Sequence, residues 1–172
     1  MEDNSSTTTT TTEINRFTEF TQNQLNDSEQ QTVIDLAFDV LKARHRPGQP
    51  LTCPQQTRNF LRLLLADRKV EIFGCLYLDT QHRVIDTVEL FQGTIDGASV
   101  YPRVVAQQAL EANAAAILLF HNHPSQVAEP SRADERITQR LQKALELIDI
   151  RVLDHFVIGA NDTVSFAERG LL

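Results

Sequence analysis

Cysteine is scarce in this chain: Cys53 and Cys75 are the only two among 172 residues. Neither sits in a Cys-x-x-Cys pair, so no disulfide framework and no thiolate zinc knot is expected, and a reduced, cytoplasmic setting fits best. Long apolar runs are missing as well. No stretch approaches the ~20 residues that cross a bilayer, which excludes a membrane span. The first residues, Met1-Glu2-Asp3-Asn4-Ser5-Ser6, lack the basic start and apolar middle of a secretory signal. Positive charge is also in short supply, with 16 Lys and Arg against 23 Asp and Glu and a net charge of −7. The basic clusters Arg44-His45-Arg46 and Arg68-Lys69 are short, so the chain starts with the wrong sign for steering to phosphate, and nucleic-acid binding is a minority hypothesis. There is no glycine-rich phosphate loop, no serine-centred nucleophile elbow and no internal repeat.

Apolar residues make up 41% of the chain, enough for one globular domain with a core and an appendage. Residues 1–12 carry no apolar side chain after Met1 and end in six threonines, which predicts a disordered tail. Residues 13–46 read as a helical segment. Ile14, Phe17 and Phe20 mark a first short piece. Ser28 is the expected cap of a second helix, with Val33, Ile34, Ala37, Val40 and Leu41 on its apolar side. Pro47-Gly48-Gln49-Pro50 then marks the domain boundary.

From residue 51 to 172 the pattern is a mixed one. Thr52 and Pro54 open a helix with Phe60, Leu61, Leu64 and Leu65 inside, ended by Asp67-Arg68. Val70–Leu78 and Arg83–Phe91 read as strands joined by the turn Asp79-Thr80-Gln81-His82, a hairpin signal. After a loop at Gly93–Gly97, Pro102 opens a helix with Val104, Val105, Ala109 and Leu110 inside, closed by Asn113. A buried strand over residues 114–120 follows, then a helix after Ser131 with Ile137, Leu141, Leu145 and Ile148 inside, a strand over residues 151–159, and a last strand at Val164–Phe166. The order predicts a mixed α/β domain, a sheet with antiparallel parts covered by two or three helices.

The densest chemistry is in His121-Asn122-His123-Pro124 and Ser131-Arg132-Ala133-Asp134. Residues i and i+2 of a strand point to the same side, so His121 and His123 present both imidazoles to one point at the end of the buried strand, while Asn122 points away. Two neutral imidazoles, one carboxylate and a position left for water are what catalytic zinc sites use. Asp134 is a candidate third ligand and equally the acidic member of a Ser-x-x-acid capping box; one residue can serve both. His155 follows a strand pattern and reads either as a partner that orients a ligand from behind or as a packed core histidine. His45 and His82 sit in polar, turn-like surroundings and are assigned no role.

The spacing His121-x-His123, Ser131, Asp134 resembles the signature of the JAMM (MPN/JAB) metalloproteases. The segments Leu78-Asp79, Glu89-Leu90-Phe91-Gln92-Gly93-Thr94, Pro102-Arg103-Val104-Val105, Leu153-Asp154-His155 and Gly170-Leu171-Leu172 are similar to its RadC-like branch, over about residues 51–172. The resemblance implies an MPN/JAB-like, cytidine-deaminase-like fold and one zinc ion held by His121, His123 and Asp134. It implies that Glu71 is the general base and Ser131 the hydroxyl that stabilises the oxyanion. Glu89, one strand later, is the alternative base. The implied activity is zinc-dependent hydrolysis of peptide or isopeptide bonds in a protein or peptide substrate, with the water's pKa lowered by the metal. Residues 1–50 are too short and glycine-poor for the helix-hairpin-helix module of longer RadC-type proteins, so the chain resembles the short, stand-alone members. Gln126 stands where the branch usually has glycine, a residue that would permit positive φ. Two rival functions remain: a DNA-repair-linked or nucleic-acid-associated role, as the family label suggests, and a non-catalytic binding module. Residues 13–46 are compatible with packing on the domain, pairing into a homodimer or binding a partner.

Overall fold

The computed structural model describes residues 21–51, 53–66, 68–93 and 99–172. The expected tail at 1–12, the apolar residues Ile14, Phe17 and Phe20, the helix-opening Thr52, the helix-ending Asp67 and the loop residues 94–97 lie outside them. The elements run α1 (Asp27–Arg44), α2 (Pro54–Leu65), β1 (Ile72–Leu78), β2 (Val84–Gln92), α3 (Pro102–Glu111), β3 (Ala116–Asn122), α4 (Arg132–Glu146), β4 (Arg151–Ile158), β5 (Thr163–Ser165) and α5 (Phe166–Arg169). The described residues divide into two units, one up to Asp35 and one from Leu36 to Leu172.

In the first unit, the start of α1 is capped by Asn26 rather than by Ser28. The Asn26 side chain accepts the Glu29 N–H at 3.0 Å and the Glu29 carboxylate accepts the Asn26 N–H at 2.8 Å, a reciprocal box that satisfies two otherwise orphaned donors. Val33, Ile34 and Val40 stay about half exposed, against the expectation of a buried stripe. In the second unit it is Phe38 and Leu41 that pack on the core, with Phe38 stacked on Phe60. His45 also departs from its expected place. It is buried, lies 4.4 Å from the Phe60 ring and donates from Nδ1 to the Leu41 carbonyl.

The second unit is built on one five-stranded sheet in the order β2-β1-β3-β4-β5. β1 is antiparallel to β2 and to β3, β3 is parallel to β4 through the crossover helix α4, and β5 returns antiparallel on β4. β1 and β3 are buried along their whole lengths, because helices cover both faces. Ile72, Leu76, Leu78, Ala116, Leu118 and Phe120 face α2 with Phe60, Leu61 and Leu65. Phe73, Cys75, Tyr77, Ile117 and Leu119 face α3 and α4, meeting Val105, Ala109, Leu141 and Leu145. Alternate residues of the central strands therefore belong to different cores. Gly74 is required by the packing around it: a Cβ there would overlap the Phe120 ring and lie 2.6 Å from the Val88 carbonyl oxygen.

Local signals explain the element ends. Pro54 and Pro102 occupy first-turn positions of α2 and α3, where the missing N–H costs nothing. The N-caps before them are Cys53 and Tyr101, neither with a side-chain cap bond. Asn113 closes α3 at φ 53°, a left-handed conformation that asparagine tolerates. Leu110 of α3 points to solvent instead of inward. The last strand ends at Ser165, whose hydroxyl caps α5, so Phe166 is helical and not extended.

Candidate metal centre

The strand β3 runs through His121 and Asn122, two residues further than its apolar run suggests, and His123 follows directly. The alternation of the strand puts His121 and His123 on the α4 side, where their Nε2 atoms lie 2.9 Å apart. Asp134 reaches them from the first turn of α4, with Oδ1 3.5 Å from His121 Nε2 and Oδ2 3.4 Å from His123 Nε2. One potential ligand atom from each of the three residues lies within 4.8 Å of the others.

Asp134 is held there by the capping box. The Ser131 hydroxyl accepts the Asp134 N–H at 3.2 Å, and Asp134 Oδ2 accepts the Ser131 N–H at 2.6 Å. Burial works to raise the Asp134 pKa, yet hydrogen bonds from His121 and His123 hold it well below the usual carboxylate range. In return the Asp134 hydrogen bond raises the His123 pKa against burial, aided by the Val127 carbonyl and by the charges of Asp134 and Glu71. A carboxylate facing two imidazoles favours a positive species between them, whether proton or metal ion.

The remaining ring nitrogens set the tautomers. The Thr138 hydroxyl donates to the Asp134 carbonyl at 2.6 Å, and its oxygen lies 2.6 Å from His155 Nδ1. With its proton committed to the carbonyl, that hydroxyl accepts from His155 Nδ1–H. His155 Nε2 is then an acceptor for His121 Nδ1–H at 2.8 Å. The His121 Nε2 lone pair is thereby left for the centre. His123 Nδ1–H donates to the Val127 carbonyl at 2.8 Å, with the same consequence. His155 is fully buried, and burial lowers its pKa well below the ordinary value, so it serves as a neutral ring. Once an ion takes the place of the proton held between these groups and Asp134, two imidazole nitrogens and a carboxylate oxygen form a donor set that fits a divalent metal ion of borderline softness.

Glu71 immediately precedes β1 and is half-buried. The pairing of β1 with β3 reaches Phe73 opposite His121. The pairing ends there, two residues short of Glu71, whose charge nevertheless acts on His123. Glu89 pairs with Gly74 across β1, which belongs to the α2 side, and its carboxylate is 2.7 Å from Arg68. It is therefore directed away from the histidines. Ser131 is exposed at the helix start. Gln126 adopts φ 68°, so this position takes the left-handed conformation without a glycine. Its N–H donates to the His123 carbonyl and its carbonyl accepts from Ala160, tying the loop that follows His123 to the end of β4.

A groove of about 590 Å³ opens beside the centre, between Asn59, Arg62 and Leu63 of α2 and the ends of β3 and β4. His123 is the one metal-ligand candidate on its wall. Thr138 and Val127 escape a reading of the sequence. Thr138 sits one helical turn after Asp134, a spacing that could have drawn attention, whereas the Val127 carbonyl offers no side-chain signal at all.

Comparison with known proteins agrees with this architecture. The RadC-like JAB domain family matches residues 51–171. A UPF0758 protein of Aeromonas hydrophila is 59% identical over 142 residues, covering 83% of this chain and 63% of that one. A UPF0758 protein of Vibrio cholerae is 57% identical over 140 residues, covering 81% of this chain and 62% of the relative. One of Nitrosococcus oceani is 56% identical over 142 residues, covering 83% and 63%. The chain thus spans somewhat less than two thirds of the length of these relatives, whose names state no activity.

Proposed function

This chain belongs to the RadC-like JAB domain family, and from that premise we propose that it is a zinc-dependent hydrolase of peptide or isopeptide bonds. The observation that carries the reading is the convergence of His121, His123 and Asp134 on one point, with the charge of Glu71 acting on His123. His121 Nε2, His123 Nε2 and Asp134 would hold the ion, each fixed from behind by His155, Val127 and Ser131. Bound zinc would supply a Lewis acid that polarises the scissile carbonyl and lowers the pKa of water.

The protein's own groups then divide the proton work. The Glu71 carboxylate takes a proton from the attacking water and later delivers it to the leaving nitrogen, the task a carboxylate within hydrogen-bond reach performs well. Ser131 accepts Asp134 N–H through its oxygen, which leaves the hydroxyl proton available for the developing oxyanion. The two free thiols, and the lack among the described residues of any helix long and apolar enough to cross a membrane, are in keeping with a cytoplasmic enzyme acting on a protein or peptide. Net charge −7 gives no support to a nucleic-acid partner.

The test is elemental analysis of protein purified without added zinc, beside His121→Ala and Asp134→Ala, followed by hydrolysis of a peptide and isopeptide panel by the wild type and Glu71→Gln. About one zinc per chain, lost in both ligand variants with the fold intact, and hydrolysis abolished in Glu71→Gln with zinc retained, are expected. A wild type that takes up no metal even from added zinc would overturn the hydrolase reading in favour of a non-catalytic binding module.

A further inference from the structure

The residue between the two histidines has a task of its own. His121 and His123 face α4, so strand alternation turns Asn122 to the opposite side, where it is 5% exposed. Its side-chain Oδ1 accepts the Ile72 N–H at 2.7 Å and its Nδ2 donates to the Val70 carbonyl at 3.1 Å. These two backbone groups flank Glu71. A backbone N–H can only donate and a carbonyl only accept, so the pair dictates how the amide is oriented.

The bonds stand where the sheet gives out. The paired positions of β1 and β3 end at Phe73 and His121, and Glu71 lies outside β1. Past that point the side chain of Asn122 takes over from the ladder. On the other flank, the Gly93 N–H donates to the Glu71 carbonyl at 2.8 Å. The peptide on each side of Glu71 is therefore fixed, although the residue belongs to no strand.

We propose that Asn122 is a positioning residue, whose buried amide clips the Val70–Ile72 backbone and so holds the Glu71 carboxylate toward His123. The inference rests on the assignment of Glu71 as proton acceptor. One tripeptide would thus supply two metal ligands on one face of the sheet and the support of the base on the other, coupling base and centre through a single turn of the strand. Only asparagine does this at that length. Aspartate keeps the acceptor for Ile72 but sets a second oxygen against the Val70 carbonyl, and leucine leaves a buried N–H unsatisfied. A shift of about 1 Å in a reacting group can cost ~100-fold in rate.

The test reads Glu71 directly and needs no substrate. The zinc-supplemented 172-residue chain, labelled with carboxyl-13C glutamate, is compared as wild type, Asn122→Asp, Asn122→Leu and Glu71→Gln, with zinc content measured on each. The resonance missing from Glu71→Gln belongs to Glu71. The expected result is wild-type zinc content in both Asn122 variants, with the Glu71 resonance moved to the position of solvent-exposed glutamates and the other glutamates unchanged. An unmoved Glu71 resonance in a folded Asn122 variant would overturn the proposal. So would loss of zinc from both, which would mean that Asn122 acts on the ligands instead. Asn122→Asp keeps the comparison readable if Asn122→Leu does not fold. A wild type that binds no zinc would count against the hydrolase reading alone, because the Glu71 resonance reports the clip with or without metal.

Discussion

Thr138 Oγ1 lies 2.6 Å from His155 Nδ1 and donates its proton to the carbonyl of Asp134. One hydroxyl on α4 thereby decides which nitrogen of His155, and through it of His121, carries a hydrogen. In Thr138→Val the acceptor for His155 Nδ1–H is gone. The ring then gains by carrying its proton on Nε2, which drives His121 toward the tautomer with its proton at the centre. Zinc affinity is expected to fall 10–100-fold with the fold retained, the range typical of lost support behind a ligand. Competition with a chromogenic chelator measures it, and an unchanged affinity would rule out the relay.

Gly74 is packed under the Phe120 ring, with no room for a methyl group. Gly74→Ala has to displace a ring that is itself fully buried. A loss of about 1–3 kcal/mol is expected on overpacking grounds, read as a lower midpoint in urea denaturation with the slope unchanged.

Gln126 holds φ 68°. A left-handed conformation costs a residue with a Cβ about 1 kcal/mol or more, a cost glycine does not bear. Gln126→Gly should raise unfolding stability by about 1 kcal/mol and leave zinc binding intact, because both backbone hydrogen bonds of this residue survive. A destabilised variant would show that the glutamine side chain makes contacts that outweigh the strain.

Burial lowers the pKa of His45, with the Leu41 carbonyl opposing and the charge of Arg44 adding to the fall. A depressed folded-state pKa means that the folded protein favours the neutral ring. The contribution is therefore complete above the unfolded value of about 6.5 and is lost as pH falls through the lower folded value. Wild-type protein should lose more stability between pH 7.5 and 5.5 than His45→Gln does. Denaturant titrations of both at the two pH values give the double difference, and a difference of zero would mean that the ring is not buried in solution.

How much of this was legible in the chain follows from the range of each signal. The period of two along residues 116–123 is a property of the extended backbone, so it carried His121 and His123 to one side before any partner was known. The capping box Ser131–Asp134 closes within one helical turn, and it forms as its local spacing implies. The place of Glu89 had no such local basis. Only the pairing of β2 with β1 turns it to the α2 side, where Arg68 meets it.

The same holds for the contacts that complete the centre. Asn122 meets Val70 and Ile72 across 52 and 50 residues, and His121 meets His155 across 34. The buried place of His45, in a segment that reads as a polar turn, depends on where Phe60 lies. The exposed Val33, Ile34 and Leu110 show the converse, since helical spacing marks an apolar side without saying whether anything covers it. The sequence by itself determined what depends on backbone period and capping: the longer helices and strands of residues 54–158, the two histidines on one side and the anchored carboxylate. Tertiary structure alone decided the supports behind them, because hydrogen bonds between residues far apart in the chain exist only once the sheet register and the helix packing are set.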